Sequence, residues 1–187
     1  MNSAAIAINP DTTMQDVLEQ FPGAQRALFR KYHIGGCSSC GFNPGETLAQ
    51  VCARNENLNV EEVIGHILNS DAADRAIQIE PRDLAERIAA GEQANLLDVR
   101  TREEWDAVKI ANAHFFTQEL MQDVLGKWSR EDLLVVYDHD GTRSLDAAAY
   151  FQGQGFTSVK SLRGGIDAWS VDVDPKLPRY HLESAST

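Results

Sequence analysis

From Ile77 onward, short apolar segments alternate with segments of helical pattern. The apolar segments are IQIE, NLLDVR, AHFF, LLVVYD and SVKSLRGG, and helical patterns such as PRDLAERIAAGE and SLDAAAYFQGQG lie between them. Buried strands that alternate with helices are typical of a parallel sheet covered by helices on both faces. The pattern therefore predicts an α/β fold for residues 77–187.

Acidic side chains end two of these predicted strands. Asp98 follows NLL, and Asp138 follows LLVVY. Ligands of parallel sheets bind at the carboxyl ends of the strands, so both residues are candidate site residues. Arg100 is expected to pair with Asp98 and orient the site, an arrangement that Glu104 could join. The loop after LLVVY leads into an Ala-rich helix, and strand–loop–helix corners of this kind often carry a nucleophile at their first position.

Three segments carry a family resemblance. They are LLDVRTREEW, the corner loop from Asp138 to Ser144, and LRGGIDAW, and their order and spacing resemble the rhodanese-like sulfurtransferase domain. The tail VDVDPKLPRY resembles the ends of rhodanese domains that are fused to sulfur-carrier activating enzymes. The resemblance extends from Ile77 to Tyr180 and implies a rhodanese-like parallel sheet covered by helices.

The resemblance also implies a site with one departure. In that family the loop begins with a Cys that carries a persulfide, whose charge the following N–H groups and the helix dipole stabilise. An Arg near the end of the loop helps to bind anionic sulfur donors such as thiosulfate. Gly141, Arg143 and Ser144 match this pattern, but Asp138 stands where the Cys is expected. The predicted degenerate loop comprises Asp138, His139, Asp140, Gly141, Thr142, Arg143 and Ser144.

A carboxylate cannot form a persulfide, so the loop is predicted to be inactive in sulfur transfer. Three interpretations of Asp138 stay open: a decayed site that keeps its fold and binds another group, an oxygen nucleophile that forms an acyl-phosphate, or a designed replacement of Cys. The acyl-phosphate interpretation has no magnesium site to support it. We expect the carboxylate of Asp138 to occupy the anion site that the loop amides form in the family.

The first seventy residues show helical periodicity instead. Helical patterns occupy TTMQDVLEQF, PGAQRALFRKY, GETLAQVCARN and the segment after Asn59, which is a candidate N-cap. A small all-α domain is predicted for residues 1–70, with a polar linker at residues 71–76. The segment FPGAQRALFRKYHIGGCSSCGFNPGETLAQVC resembles a redox-disulfide domain found near hybrid-cluster and redox proteins, in its order of helix, Gly-Gly, Cys-x-x-Cys and helix.

The pair Cys37 and Cys40 admits three interpretations. Two thiols at this spacing can form a disulfide or pass on a persulfide. They could instead bind a metal or an iron–sulfur cluster together with Cys52 and His33, or they could be unreactive. Cys52 lies on an apolar helical stripe, where a Cys acts as a small hydrophobic residue. The redox or sulfur-relay interpretation is the leading one, with no metal site assigned and no cofactor expected.

The composition excludes some classes of partner. A net charge of -11 and a pI near 4.8 argue against nucleic acid and anionic membranes. With no membrane-spanning segment and no signal peptide in view, a cytoplasmic location is expected.

The predicted function is sulfur or redox trafficking, with thiol chemistry on Cys37 and Cys40. The expected partners are a small anionic sulfur species or a protein that bears a thiol or persulfide. One alternative is a non-enzymatic regulatory module that binds anions or proteins, and another is a metal-binding or iron–sulfur N-terminal domain.

Overall fold

The computed structural model describes residues 8–35 and 41–180. Its contacts divide the chain into two units, Met1–Ala76 and Ile77–Thr187. Cys37 and Cys40 lie outside the described residues. Within the described ranges, no helix is long and apolar enough to cross a membrane.

Helices make up the first unit. In the part that is described they are α1 (Met14–Gln20), α2 (Ala24–Tyr32), α3 (Leu48–Arg54) and α4 (Val60–Ala76). Side chains cap three of them: Thr13 accepts from the amide of Asp16, Thr47 forms a capping box with Gln50, and the Asn59 carboxamide accepts from the start of α4. Their apolar faces meet in one core, which includes Met14, Val17, Leu28, Leu48, Val51, Cys52, Val63 and Ile67.

Helix α4 continues to Ala76, so residues 71–76, predicted as a linker, form its last part. The segment DAADRA is polar, but its Ala and Arg residues are good helix formers. Asp71 and Arg75 also form an ion pair of 2.8 Å one turn apart. A polar segment at the end of an amphipathic helix can therefore remain helical without contributing to the core.

The second unit has the predicted α/β fold. Its elements are β1 (Gln78–Ile79), α5 (Pro81–Ala89), β2 (Ala94–Asp98), α6 (Arg102–Ala107), β3 (His114–Phe115), α7 (Gln118–Lys127), β4 (Leu133–Tyr137), α8 (Thr142–Gly153), β5 (Val159–Leu162) and α9 (Gly165–Asp172). The strands form one parallel sheet in the order β1-β5-β4-β2-β3. This arrangement confirms the fold class that the sequence predicts.

Strand β4 lies at the centre of the sheet, and all its residues are buried. Val135 and Tyr137 pack into the core on one face, and Leu134 and Val136 pack into the core on the other, because successive side chains of a strand point to opposite faces. The pairing of β2 with β4 places Asp98 opposite Tyr137. Asp98 and Asp138 therefore lie at the same edge of the sheet.

Candidate functional site

The carboxylate of Asp138 is enclosed by the loop that it begins. Asp138 is only 1% exposed, its Oδ1 accepts a hydrogen bond of 2.9 Å from the amide of Gly141, and its Oδ2 accepts one of 3.0 Å from the amide of Arg143. The Nε atom of Arg143 lies 3.6 Å from Oδ2. These donors stand at the beginning of α8, where the helix dipole also favours a negative charge.

Backbone contacts with α9 hold the same loop from the other side. The carbonyl of Asp138 accepts a hydrogen bond of 2.9 Å from the amide of Ile166, and the carbonyl of His139 accepts one of 3.1 Å from Asp167. A Cβ atom on Gly165, which has a φ of +58°, would lie 2.4 Å from both carbonyl oxygens. Only glycine allows so close an approach of the two backbones, which explains the second glycine of LRGGIDAW.

Asp98 and Arg100 form a fully buried ion pair. Arg100 donates from Nε and Nη2 to the carboxylate, at 2.9 Å to Oδ1 and 2.6 Å to Oδ2, and both side chains are 0% exposed. Burial alone would lower the pKa of Arg100, but the hydrogen bonds and charge of Asp98 raise it above its ordinary value. Arg100 also donates to the carbonyl of Val108 at 2.6 Å. The predicted pair is present.

Tyr180, the last residue of the tail VDVDPKLPRY, connects that pair to the corner loop, a role that the sequence analysis did not predict. Its hydroxyl accepts from Arg100 Nη1 at 2.7 Å and donates to Glu104 Oε1 at 2.7 Å. Burial, followed by the hydrogen bond to Glu104, raises the pKa of Tyr180 to about 12. The ring of Tyr180 lies 4.5 Å from that of His139, measured between centroids.

Glu104 stands between Tyr180 and Arg143. Its Oε2 accepts a hydrogen bond of 3.0 Å from the amide of Thr101 and lies 3.8 Å from Nη2 of Arg143. Burial alone would raise the pKa of Glu104, but the hydrogen bonds from Thr101 and Tyr180 lower it. The local signal for this residue is the capping box Thr101-x-x-Glu104 at the start of α6.

The remaining loop residues differ in burial. Asp140 is exposed at the surface and accepts a hydrogen bond of 3.0 Å from the amide of Thr142. Partial burial of its carboxyl group opposes the charge, but the hydrogen bonds from Thr142 prevail and lower the pKa of Asp140. Ser144 is buried, and its hydroxyl lies 2.8 Å from that of Ser161 on β5. Nδ1 of His139 is buried and has no hydrogen-bond partner among the described residues.

Comparison with known proteins places the second unit in a family. The family model of the rhodanese-like domain matches residues 80–172. The chain is 33% identical over 93 residues to a sulfurtransferase of Allochromatium vinosum, and the match covers 50% of this chain and 87% of that protein. The chain belongs to the rhodanese-like family. Asp138 is thus the first loop residue of a rhodanese-like domain, and its side chain carries no sulfur.

A longer relative matches a larger part of the chain. The probable adenylyltransferase/sulfurtransferase MoeZ of Mycobacterium tuberculosis is 33% identical over 129 residues, a match that covers 67% of this chain and 33% of that protein. This chain therefore spans about a third of the length of MoeZ. Among solved structures, the human single-domain sulfurtransferase TSTD1 aligns at 25% identity with a TM-score of 0.46, over 51% of this chain and 96% of that one.

In the helical unit, the described residues on either side of the Cys-x-x-Cys motif accept hydrogen bonds from helix side chains. Gln25 Nε2 donates to the carbonyl of Gly35 at 3.0 Å, and Arg54 Nη2 donates to the carbonyl of Gly41 at 2.9 Å. Cys52 is buried in the helical core, and burial raises the pKa of its thiol. Across residues 8–35 and 41–180, no group of three or more His, Cys, Asp or Glu side chains is arranged to hold a metal ion.

Proposed function

We propose that this protein acts in sulfur or redox trafficking, and that its thiol chemistry takes place on Cys37 and Cys40 rather than in the rhodanese-like loop. The observation that carries the proposal is the engaged carboxylate of Asp138. Its two oxygens accept hydrogen bonds from the amides of Gly141 and Arg143. The position of a sulfur nucleophile is therefore filled by a group that cannot carry sulfur.

The cysteines of the helical unit are the candidate sulfur nucleophiles. The chain has three cysteines, and Cys52 is 2% exposed with a raised pKa. The thiolate is the reactive form of a cysteine, so a buried thiol of raised pKa is a poor nucleophile at neutral pH. Cys37 and Cys40 remain as candidates, and their spacing suits thiol–disulfide exchange.

The reaction that we propose is a two-step relay. A thiolate of the pair attacks the outer sulfur of a persulfide donor, the S–S bond of the donor breaks, and the donor leaves as a thiolate. The second thiolate then attacks the inner sulfur of the new persulfide, which forms the Cys37–Cys40 disulfide and releases hydrosulfide. An external dithiol reduces the disulfide before the next turn. The names of the sulfurtransferase relatives support this class of reaction.

The partner is a small anionic sulfur species or a protein that bears a thiol or persulfide. Arg143 is the cation of the loop, and its side chain is 54% exposed. This exposure also favours a second candidate function, a regulatory module that binds an anion or a protein without catalysis. In that case Cys37 and Cys40 would not accept sulfur from a donor.

Persulfide trapping tests the proposal. The reduced protein is incubated with a small persulfide donor and alkylated, and the modified residues are located by mass spectrometry. We expect the wild-type protein to release hydrosulfide and form the Cys37–Cys40 disulfide, and one of the single variants Cys37→Ser and Cys40→Ser to keep the added sulfur on its remaining thiol. The Cys37→Ser/Cys40→Ser variant should do neither, and the control Cys52→Ala should behave as the wild-type protein. Added sulfur on Cys52, or stoichiometric zinc or iron in the purified protein, would contradict the relay.

Thiosulfate–cyanide sulfur transfer tests the loop separately. In the Cys37→Ser/Cys40→Ser background we expect no activity with Asp138 in place. Adding Asp138→Cys should create measurable activity, because the loop amides and Arg143 are already arranged around that position. Activity in the background that retains Asp138 would show that the loop transfers sulfur by another route and would refute its assignment as inactive.

A further inference from the structure

The last described segment of the rhodanese-like unit, residues 173–180, packs back onto the unit. We refer to it as the C-terminal strap. Val173, Leu177 and Tyr180 pack against the core on the β4 face that includes Tyr137. Arg179 donates to both carboxylate oxygens of Asp167 on α9, at 2.7 Å and 2.8 Å. The strap is thus fixed to the helix whose first amides hold the carbonyls of the corner loop.

Tyr180 reaches both neighbours of the buried carboxylate. Its ring lies against His139, which follows Asp138 in the chain. Its hydroxyl donates to Glu104, and Glu104 lies 3.8 Å from Arg143, whose Nε atom lies 3.6 Å from the Asp138 carboxylate. One side chain at the end of the strap therefore restrains the loop directly through His139 and indirectly through Arg143.

The hydroxyl of Tyr180 is well suited to such a restraint. It accepts from Arg100, which Asp98 and the carbonyl of Val108 hold rigidly, and it donates to the carboxylate of Glu104. Hydrogen bonds to charged groups are about twice as strong as those between neutral groups. Tyr180 therefore connects the buried ion pair at the end of β2 to Glu104 on α6.

We propose that the C-terminal strap is a latch on the corner loop, with Tyr180 as its positioning residue. With Tyr180 docked, the carboxylate of Asp138 is closed off from solvent. When the strap is displaced, the loop opens and position 138 becomes accessible to external reagents and ligands. The inference concerns the loop alone and holds whether or not Cys37 and Cys40 carry sulfur.

Carboxyl labelling of the native protein tests the latch. The folded protein is treated with a water-soluble carbodiimide and an amine, and labelling is measured at each residue by tandem mass spectrometry. Asp140 lies two residues from Asp138 and is exposed, so it is an internal control on the same peptide. In the wild-type protein we expect Asp140 to be labelled and Asp138 to be protected.

Two substitutions of Tyr180 separate the ring from the hydroxyl. Tyr180→Ala removes the ring contact with His139 and the hydrogen bond to Glu104. Losing one hydrogen bond to a charged group makes local opening about tenfold more frequent, so we expect labelling of Asp138 to rise about tenfold or more. Labelling of Asp140, which is exposed already in the docked state, should change much less. Tyr180→Phe keeps the ring against His139 and should give a smaller increase. Tyr150→Ala, a change at an exposed tyrosine on α8, should leave Asp138 protected.

Arg179→Ala covers the case in which Tyr180→Ala does not fold. It releases the strap from Asp167 without changing any residue that contacts the loop, and it should also increase labelling of Asp138. A merely structural role for Tyr180 would lower the melting temperature without this selective change. Wild-type protection of Asp138 in folded Tyr180→Ala, or in both Tyr180→Phe and Arg179→Ala, would overturn the proposal, as would rapid labelling of Asp138 in the wild-type protein.

Discussion

Oδ1 of Asp138 lies 2.9 Å from the amide nitrogen of Gly141, three residues further along the chain. With the bond from the amide of Arg143 to Oδ2, it closes a turn in which a side chain satisfies two backbone donors at the start of a helix. An external anion at this point would compete with a carboxylate that is already in place. The loop therefore keeps its shape without a ligand.

Removal of this acceptor should destabilise the domain. Asp138→Ala leaves the buried amide of Gly141 and the partly buried amide of Arg143 without their partner. An unsatisfied buried group costs about 1–3 kcal/mol and a partly buried one costs less, so we expect a loss of about 2–4 kcal/mol in urea denaturation. The control Asp140→Ala removes an exposed acceptor from the same loop and should cost less than about 1 kcal/mol. Equal effects of the two substitutions would show that the carboxylate of Asp138 does not support the loop.

The contact of Gly165 with the loop predicts that a side chain at position 165 destabilises the fold. Gly165→Ala places a methyl group against the carbonyls of Asp138 and His139 and should destabilise the fold by about 2–4 kcal/mol in chemical denaturation. Gly153→Ala is the matched control, because a Cβ atom there meets nothing within 4 Å. It should be neutral or stabilising by up to about 1 kcal/mol. A tolerated Gly165→Ala would mean that the loop and α9 can separate at little cost.

The ion pair of Asp98 and Arg100 should be sensitive to loss of one partner. Asp98→Ala leaves the Arg100 guanidinium buried without its counterion, at a cost of about 3–5 kcal/mol. Asp106→Ala removes the partner of Arg102 in an exposed pair of 3.0 Å and should cost less than about 0.5 kcal/mol. The two free energies of unfolding can be measured side by side, and a small value for Asp98→Ala would contradict the structural role of the pair.

Glu104 should make stability depend on pH. Burial opposes its charge, but the hydrogen bonds from Thr101 and Tyr180 prevail and lower its pKa from the ordinary 4.5. Its stabilising effect is therefore fully present above the ordinary pKa and is lost as the pH falls through the lowered folded value. We expect Glu104→Gln to lower the melting temperature at neutral pH, and the difference from wild type to shrink in acid.

Glu103→Gln is the control for this pH effect, since Glu103 is the exposed neighbour in the same first turn of α6. It should change the melting temperature little at any pH. A deficit of Glu104→Gln that stays constant from neutral pH into acid would indicate a loss of packing rather than a loss of charge.

The α/β fold could be predicted from the sequence because strands such as β4 are buried on both faces and read as apolar runs. Asp98 and Asp138 could be found for the same reason, since each directly follows such a run. The helical end of α4 could not be recognised, because DAADRA has the composition of a linker although its residues favour a helix.

The role of Tyr180 could not be predicted from the sequence. Its hydrogen-bond partners lie 80 residues away at Arg100 and 76 residues away at Glu104. Such contacts depend on how the end of the chain returns to the sheet, and no local periodicity encodes them. Glu104, by contrast, carried a local signal in its capping box, but its position beside Arg143 follows only from the tertiary structure.

The clamp between α9 and the corner loop has a consequence for engineering. The amides of Ile166 and Asp167 bind backbone carbonyls, so the path of the chain at position 138 is set by atoms that every amino acid possesses. A substitution at position 138 therefore removes the hydrogen bonds of the carboxylate but keeps these two backbone hydrogen bonds. Thiol, selenol and carboxylate side chains can be compared there to measure what the backbone clamp contributes to a nucleophile.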